Sequence, residues 1–179
     1  DATIGVTINA GTGTLTNTSS ATKQGIITNN ATTAPISLLA DDMDLQTGGA
    51  AGNSKIVGGA GAVQLSSTTL NRPINLGLGS NAGGTALGLS SNPGGAPDEV
   101  NTITTTGQVT IGSATHIGTI TIDGDAIIAN STAQTLLVQN NGGIVVNANL
   151  TANPVGGPVI NLDTPGTIID TGGTSAIIT

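Results

Sequence analysis

The sequence predicts an all-β protein built as a parallel β-helix, and two observations lead to this prediction. The first is an alternating pattern between Val100 and Asn130, where Ile and Val take turns with Thr and each run ends at Gly, Asn or Asp. The second is the complete absence of Phe, Tyr and Trp. Ordinary globular cores depend on aromatic side chains that bury roughly 150 to 250 Å² each, so this chain needs a thin core of stacked small side chains.

Similar short alternating segments, separated by polar corners, fill the rest of the chain. Before Val100 the predicted strands are Ala2–Asn9, Gly13–Asn17, Gly25–Asn29, Pro35–Leu45, Lys55–Val57, Ala62–Leu70, Pro73–Gly79 and Ala86–Ser90. After Asn130 they are Thr135–Asn140, Gly143–Leu150, Gly157–Asp163, Gly166–Asp170 and Ser175–Thr179. A bend is expected at Ala40–Asp42. No segment shows helical periodicity.

The spacing of these strands predicts the size of the coil. Strand starts lie roughly 8 to 14 residues apart, which gives about eight coils of roughly 20 to 25 residues and a rod about 40 Å long. An antiparallel β-sandwich stays open as the alternative, because Asp123–Gly124 and Asn141–Gly142 could form two-residue hairpin turns.

Two stretches are expected to be loop insertions in a single solenoid segment that covers residues 1–179. One is the Gly- and Ala-rich region near 46–61, around the short Lys55–Val57 strand, and the other is residues 92–100. The second has the densest turn signal in the sequence, Asn-Pro-Gly-Gly-Ala-Pro. Because the final strand Ser175–Thr179 has no polar cap, the segment is expected to continue into a longer chain or to pair end to end with another copy.

Composition excludes several classes of partner. The net charge is −7, and the cations are Lys23, Lys55 and Arg72 alone. Three scattered cations cannot form the basic surface that nucleic acid or an anionic membrane requires. Cysteine is absent, so no disulfide or thiolate site exists, and no apolar run approaches the roughly 20 residues that span a bilayer. The composition is compatible with a secreted, extracellular protein.

Two acidic groups are weak candidates for a calcium site. Asp41, Asp42 and Asp44 form the densest cluster, and Asp123 and Asp125 flank one glycine. Ca²⁺ takes six to eight oxygen ligands, but neither group matches a known calcium loop. The favoured interpretation is that these Asp residues form turns through side-chain to backbone hydrogen bonds. No cofactor is predicted.

No enzyme is predicted. The carboxylate pair beside the Pro- and Gly-rich loop is Asp98–Glu99, and adjacent residues of a strand face opposite ways, which does not suit a general acid and base. His116 is the only histidine, so a transition-metal site has no second imidazole or thiolate. It is expected to be a corner residue, either exposed or hydrogen-bonded to the backbone.

Two segments resemble a known family. Arg72–Ile127 is similar to a phrase of large bacterial exoproteins of the filamentous haemagglutinin type, in which Ile-Asn-Leu-Gly, Leu-Gly-Leu, an acidic loop, Gly-x-Val-Thr-Ile-Gly and Gly-x-Ile-Thr-Ile follow one another. Ile36–Leu45 resembles the strand that precedes this phrase. The resemblance implies a right-handed parallel β-helix that a partner transporter moves across the outer membrane, and that forms an adhesive or structural fibre.

The function predicted from these observations is a non-enzymatic structural segment of a secreted cell-surface fibre, as a rigid stalk or a self-assembling filament subunit. One alternative is an adhesin module of the kind found in biofilms, which contacts host glycan or another cell through Asn92–Val100 or Thr47–Gly61. A minor alternative is an ice-binding solenoid, suggested by alternating threonines at Thr102, Thr104 and Thr106 and at Thr119 and Thr121.

Overall fold

The computed structural model describes residues 4–18, 25–29, 33–47, 54–77, 84–91, 98–128, 135–152 and 159–171. These residues form short strands and one 3-10 turn at Val100–Thr102. The strands are β1 Val6–Asn9, β2 Thr14–Thr18, β3 Ile26–Thr28, β4 Ile36–Leu39, β5 Asp42–Thr47, β6 Lys55–Gly59, β7 Val63–Ser66, β8 Ile74–Leu76, β9 Leu87–Leu89, β10 Ile103–Thr105, β11 Gln108–Gly112, β12 Ile120–Ile122, β13 Ala126–Ile128, β14 Thr135–Gln139, β15 Ile144–Val146, β16 Leu150–Ala152, β17 Val159–Asp163 and β18 Ile168–Asp170.

The strands stack in parallel on three faces of a β-solenoid. The first face is a sheet in the order β1-β4-β7-β11-β14-β17. The second face holds β2-β5 and β9-β8-β12-β15-β18, and the third holds β3-β6-β10 and β13-β16. Every strand pair among the described residues is parallel, for example β11 with β14. The predicted parallel β-helix is therefore confirmed, and the β-sandwich is wrong. Its right-handed sense stays a prediction.

The coils are longer and fewer than the sequence predicts. Along the first face the register partners Val6, Ile36, Val63, Val109, Leu136 and Ile160 follow one another, so successive coils take 30, 27, 46, 27 and 24 residues. The described residues thus make five turns where about eight coils were expected. With strands spaced by about 4.8 Å, the stack measures about 24 Å from its first strand to its last, shorter than the expected rod.

The 46-residue coil contains an excursion on the second face. Strand β9 pairs with β8 from the opposite side to β12, with Leu87 in register with Ile74. The chain then passes through the 3-10 turn to β10, which stacks on β6. The expected insertion at 92–100 lies in this coil. Residues 92–97 lie outside the described residues, whereas Asp98, Glu99 and Val100 are buried, so this end of the segment does not protrude.

The other expected insertion, near 46–61, also contains part of the core. Lys55–Gly59 forms β6, and its Ile56 is fully buried. Residues 48–53 lie outside the described residues, as does the predicted final strand Ser175–Thr179.

The core consists of columns of aliphatic side chains that repeat from coil to coil. Alternate residues of each strand point inward, as the buried and half-buried alternation of β4 and β14 shows. Each inward residue packs on the equivalent residue of the coil below. Even a small side chain is therefore shielded from water by aliphatic side chains like itself. One column on the first face runs through Ile36, Val63, Val109 and Leu136, and another through Leu38, Leu65, Ile111 and Val138, all of them buried.

One corner of the later coils requires glycine. Gly118, Gly142 and Gly166 each lie two residues before the first residue of a second-face strand and follow one another at intervals of 24 residues. A Cβ atom on Gly118 would overlap the carbonyl of Arg72, one on Gly142 that of Ile117, and one on Gly166 that of Gly142. The absence of a side chain lets successive coils approach closely at this corner.

Candidate functional site

A groove of about 430 Å³ runs along the corner where the first face ends. Its lining comes from four successive coils. The lining residues are Asn9, Leu39, Gln64, Ser66, Ser67, Thr68, Leu70, Ser113 and Thr115. Hydroxyl and amide groups dominate this lining, and it carries no ionisable or aromatic side chain. We call this feature the corner groove.

A buried polar network lies behind the corner groove. The ring of His116 is fully buried, and its Nδ1 lies 3.2 Å from the hydroxyl of Ser67, which also donates to the carbonyl of Thr69 at 3.0 Å. The Asp41 carboxylate accepts hydrogen bonds from the backbone N–H and the hydroxyl of Thr69, the first at 2.7 Å. The network thus ties the corner after β7 to the corners of the coils on either side.

Burial and hydrogen bonding move the pKa values in this network. Desolvation by burial would raise the pKa of Asp41, but the hydrogen bonds from Thr69, the charge of Arg72 and a backbone bond from Thr68 together lower it below its usual value. Burial lowers the pKa of His116, because the protonated ring would lose its hydration. The carboxyl group is therefore held as its anion and the imidazole as its neutral form.

Arg72 connects this corner to the excursion. Its guanidinium donates to the carbonyls of Gly84 at 2.7 Å and Ala86 at 3.3 Å, just before β9. Its Nε is buried and has no hydrogen-bond partner, and the same holds for Nε2 of His116. The guanidinium of Arg72 therefore fixes the start of β9.

A second buried polar cluster surrounds Glu99. Its carboxylate accepts hydrogen bonds from the backbone N–H of Ser90 at 2.7 Å and from the Ser90 hydroxyl. Burial, together with the nearby charges of Asp44 and Asp98, outweighs these bonds and raises the pKa of Glu99 to about 7. Asp98 accepts from the amide of Asn101 at 2.7 Å. The two carboxylates expected to face opposite ways are thus both inside the protein, each with its own partners.

The calcium candidates do not come together as one site. Asp41 lies at the buried corner, whereas Asp42, on β5, accepts a hydrogen bond from Thr14 of the preceding coil at 3.2 Å. Asp123 and Asp125 are exposed on the corner after β12, and Asp125 accepts from the backbone N–H of Asn149 at 3.2 Å. Among the described residues no three His, Asp or Glu side chains are grouped so that they could hold a metal ion.

The arrangement of Ser67, His116 and Asp41 does not form a nucleophilic triad. Asp41 is bonded to Thr69 rather than to the imidazole, so it cannot orient the ring as a triad carboxylate does. The network closes a corner of the solenoid. His116 lies at a corner between β11 and β12, as expected. The expectation that its side chain is exposed or bonded to the backbone is wrong, because the ring is buried and its Nδ1 lies beside the Ser67 hydroxyl.

The two ends of the stack form a different kind of surface. In the last described coil Val159 is 69% exposed, Ile168 48% and Ile169 46%, and in the first coil Ile26 is 51% exposed. Of these four, Ile168 points inward, and its register partners Ile144 and Ile120 are fully buried, whereas Val159, Ile169 and Ile26 hold outward positions. The inward residues of the end strands on the first face are only partly buried, namely Val6, Ile8, Ile160 and Leu162. The described residues therefore leave part of an aliphatic layer uncovered at each end of the solenoid.

Comparison with protein families, with curated proteins and with solved structures finds no match to this chain. None of the helices that the described part of the chain contains is long and apolar enough to cross a membrane.

Sequence reasoning missed both buried polar clusters. The run Ser66-Ser67-Thr68-Thr69 was assigned to a strand, although four consecutive hydroxyl residues indicate a corner that satisfies its own backbone. The other signal is the single His116, whose ring partner Ser67 lies 49 residues away in the chain and becomes its neighbour only once the coil length is known.

Proposed function

We propose that this chain is a rigid structural segment, a β-helical strut that carries length and stiffness along its axis. The aliphatic columns that run from β4 to β14 support this proposal. Each coil contacts the coils above and below through in-register strands, so stiffness is a property of the whole stack. Neither buried cluster presents reactive groups to solvent, and the corner closed by His116 serves the same structural purpose.

The biological setting proposed for the strut is a secreted, cell-surface fibre. The support for this setting is the resemblance of Arg72–Ile127 to filamentous haemagglutinin-type exoproteins, together with the solenoid fold. A partner transporter in the outer membrane and end-to-end contacts between coils belong to the same proposal. Antibody labelling of intact source cells would test the setting, since an intracellular chain stays unlabelled until the cells are opened.

Distance measurements between two spin labels test the strut itself. The chain has no cysteine, so Thr7→Cys with Asn161→Cys provides two unique label sites. Both side chains are exposed, and they lie in one outward column of the first face, five strand spacings apart. We expect a narrow distance distribution centred near about 24 Å, widened only by the label linkers. A distribution as broad as that of the same chain in guanidinium chloride would refute a rigid strut.

A second candidate function is an adhesin module, and the corner groove is the observation that favours it. Hydroxyl and amide groups lining a concave surface suit a neutral, hydroxyl-rich ligand such as a glycan. A glycan array probed with the chain and with Ser113→Ala/Thr115→Ala tests this function. Binding that the double variant abolishes would support the adhesin, and an array without bound glycan would oppose it.

The ice-binding alternative is disfavoured by the outward columns. Thr121 lies between Asn75 and Val145 in its column, and Thr102 is buried. The described faces therefore lack the continuous threonine ladder that ordering of water would need there.

A further inference from the structure

We infer that the last coil receives the first coil of a second copy, head to tail and in register, and that two polar register positions, one of them a contact between Asp163 and Asn9, fix this direction. The inference rests on the proposed strut function and names its partner. In this arrangement β1 of the second copy pairs with β17, and β2 of the second copy pairs with β18. The parallel stack would then continue across the junction without a change of direction.

The two ends have compatible aliphatic columns. Ile160 and Leu162 occupy the last positions of the two first-face columns, and Val6 and Ile8 occupy the first positions of the same columns. All four are partly buried side chains packed against the core. Placed in register, Ile160 meets Val6 and Leu162 meets Ile8, which continues the columns with residues of the same kind.

The first polar contact repeats one that is already present inside the chain. On the outward side of the first face, Gln139 donates its amide to Asp163 in the next coil at 2.7 Å. The same register places Asn9 of the second copy next to Asp163 in the outward column of the first face. The Oδ1 of Asn9 accepts from the backbone N–H of Gly11 and from the hydroxyl of Thr68. No described residue accepts a hydrogen bond from its amide nitrogen, so this group is placed to donate to Asp163.

The second polar position lies in the core column of the second face. Asp170 holds the register position next to Val146, so a carboxylate ends a column that is otherwise aliphatic. An inward charge of this kind blocks an aliphatic partner. The corresponding inward residue of the first coil is Asn17, which lies two residues after Leu15 as Asp170 lies two after Ile168. Asn17 is 7% exposed, and its amide donates to the carbonyl of Gly25 at 3.3 Å within its own coil. An amide tolerates the carboxylate where a leucine would not.

Charge disfavours the joining of two copies through their last coils. The last described coil carries Asp163 and Asp170 and no cation, so two such ends facing each other would bring like charges together. The described residues of the first coil contain no ionisable side chain. Contact between the two unlike ends therefore avoids repulsion, and an unlike contact that repeats without closing gives a filament.

A charge exchange between the two ends tests the inference. Analytical ultracentrifugation of the full chain across a concentration series should show reversible association into rods. Asn9→Asp places a carboxylate opposite Asp163 and should weaken association by about fivefold at low salt. The double variant Asn9→Asp/Asp163→Asn moves the charge to the other partner and should restore it. Asn141→Asp, at an exposed asparagine of the corner between β14 and β15, adds the same charge at a residue that has no register position at the junction and should leave association unchanged.

The outcomes separate this inference from the proposed function. A chain that stays monomeric at millimolar concentration, or a double variant that associates no better than Asn9→Asp, would overturn head-to-tail pairing. An equal effect of Asn141→Asp would show a response to net charge alone and would overturn it as well. In each case a narrow distance between the labels at positions 7 and 161 would leave the strut function standing.

Discussion

The central and terminal coils use the same residues with different results. The second-face column runs through Ile74, Ile120, Ile144 and Ile168, and the first three are fully buried whereas the last is 48% exposed. The residue type and the strand position are the same in all four coils. What differs is the number of neighbouring coils, two for the central residues and one for the last. Burial in this protein therefore depends on the stack rather than on the strand, as expected for a solenoid whose stability adds up between neighbours.

Aspartate substitutions in this second-face column should give the largest difference in lost stability between a central coil and the last coil. Ile120→Asp places an unpaired charge between two coils that cannot rearrange to hydrate it. We expect the free energy of unfolding to fall by more than about 4 kcal/mol, or the chain to remain unfolded. Ile168→Asp adds the same charge at the open end, where we expect less than about 1 kcal/mol. Chemical denaturation followed by circular dichroism measures both.

Similar losses of stability in Ile120→Asp and Ile168→Asp would contradict the difference inferred between the central and the last coil. If Ile120→Asp kept its β-structure and its denaturation midpoint, the side chain would face solvent and the register between β8, β12 and β15 would be wrong. If Ile168→Asp were as damaging as Ile120→Asp, the last coil would be buried by contacts outside the described residues.

Substitution of the corner glycines should give a smaller difference in lost stability between a central coil and the last coil. A Cβ at Gly142 would overlap the carbonyl of Ile117 in the coil below, and coils on both sides hold this corner in place. We expect Gly142→Ala to cost about 2 to 3 kcal/mol, the range typical of overpacking. Gly166→Ala has an even closer overlap, with the carbonyl of Gly142, yet we expect a smaller loss because the last coil can shift along the axis.

Thermal unfolding with heat-capacity measurement compares the two alanine variants under the same conditions. A larger loss from Gly166→Ala than from Gly142→Ala would mean that local overlap, and not the number of neighbouring coils, decides the cost. That result would break the comparison between the centre and the ends.

Local features of the sequence were sufficient for the fold class. The alternation of Ile and Thr at Ile120–Ile122 predicts a strand with one buried face, and the absence of aromatic residues predicts a thin core. A bend separates β4 from β5 as expected, but it covers Ala40 and Asp41 alone, because Asp42 is the first residue of β5. These are local properties, since the alternation of side chains in a strand is independent of how the strands later stack.

The coil length was predicted less well, although the sequence contains a signal for it. Gly-Thr-Ile-Thr-Ile-Asp at 118–123, Gly-Gly-Ile-Val-Val-Asn at 142–147 and Gly-Thr-Ile-Ile-Asp at 166–170 repeat at 24-residue intervals. Strand spacing alone does not reveal this period, because the corners vary in length. The excursion through β9 could not be expected, since Leu87–Leu89 has the same pattern as a strand that starts a new face.

The buried polar clusters depend on distances that no local pattern encodes. Glu99 looks like a residue of an acidic surface loop until β9 and β10 place it against Ser90 and near Asp44. His116 likewise has its ring partner 49 residues earlier in the chain. Such contacts follow from the coil register, and the register follows from the whole stack.

The smallest effect on stability is expected from the titration of Glu99, an acidic residue of the interior. The pKa of Glu99 is about 7 in the folded chain and 4.5 in its ordinary state. Between these two values the folded chain keeps a proton that the unfolded chain releases, so this group lowers stability as the pH rises from about 4.5 to about 7 and has no further effect above that range. His116 acts in the opposite direction, since its lowered pKa destabilises the fold as the pH falls below 6.5. The contribution of Glu99 must therefore be measured as the difference in stability, at each pH, between the wild type and a variant that keeps His116.

Glu99→Gln removes the carboxyl group and keeps an acceptor for Ser90, so it isolates this contribution. We expect the stability of the wild type relative to Glu99→Gln to fall by roughly 1 to 2 kcal/mol as the pH rises from 4.5 to 7, a value that allows for relaxation and water penetration around the ionised carboxylate. Ser90→Ala keeps the carboxyl group and removes one of its hydrogen-bond donors. The fall in the stability of Ser90→Ala over this pH range should therefore be at least as large as that of the wild type. Parallel pH profiles for the wild type and Glu99→Gln would show that Glu99 is hydrated, and that the excursion opens to water as the terminal coils do.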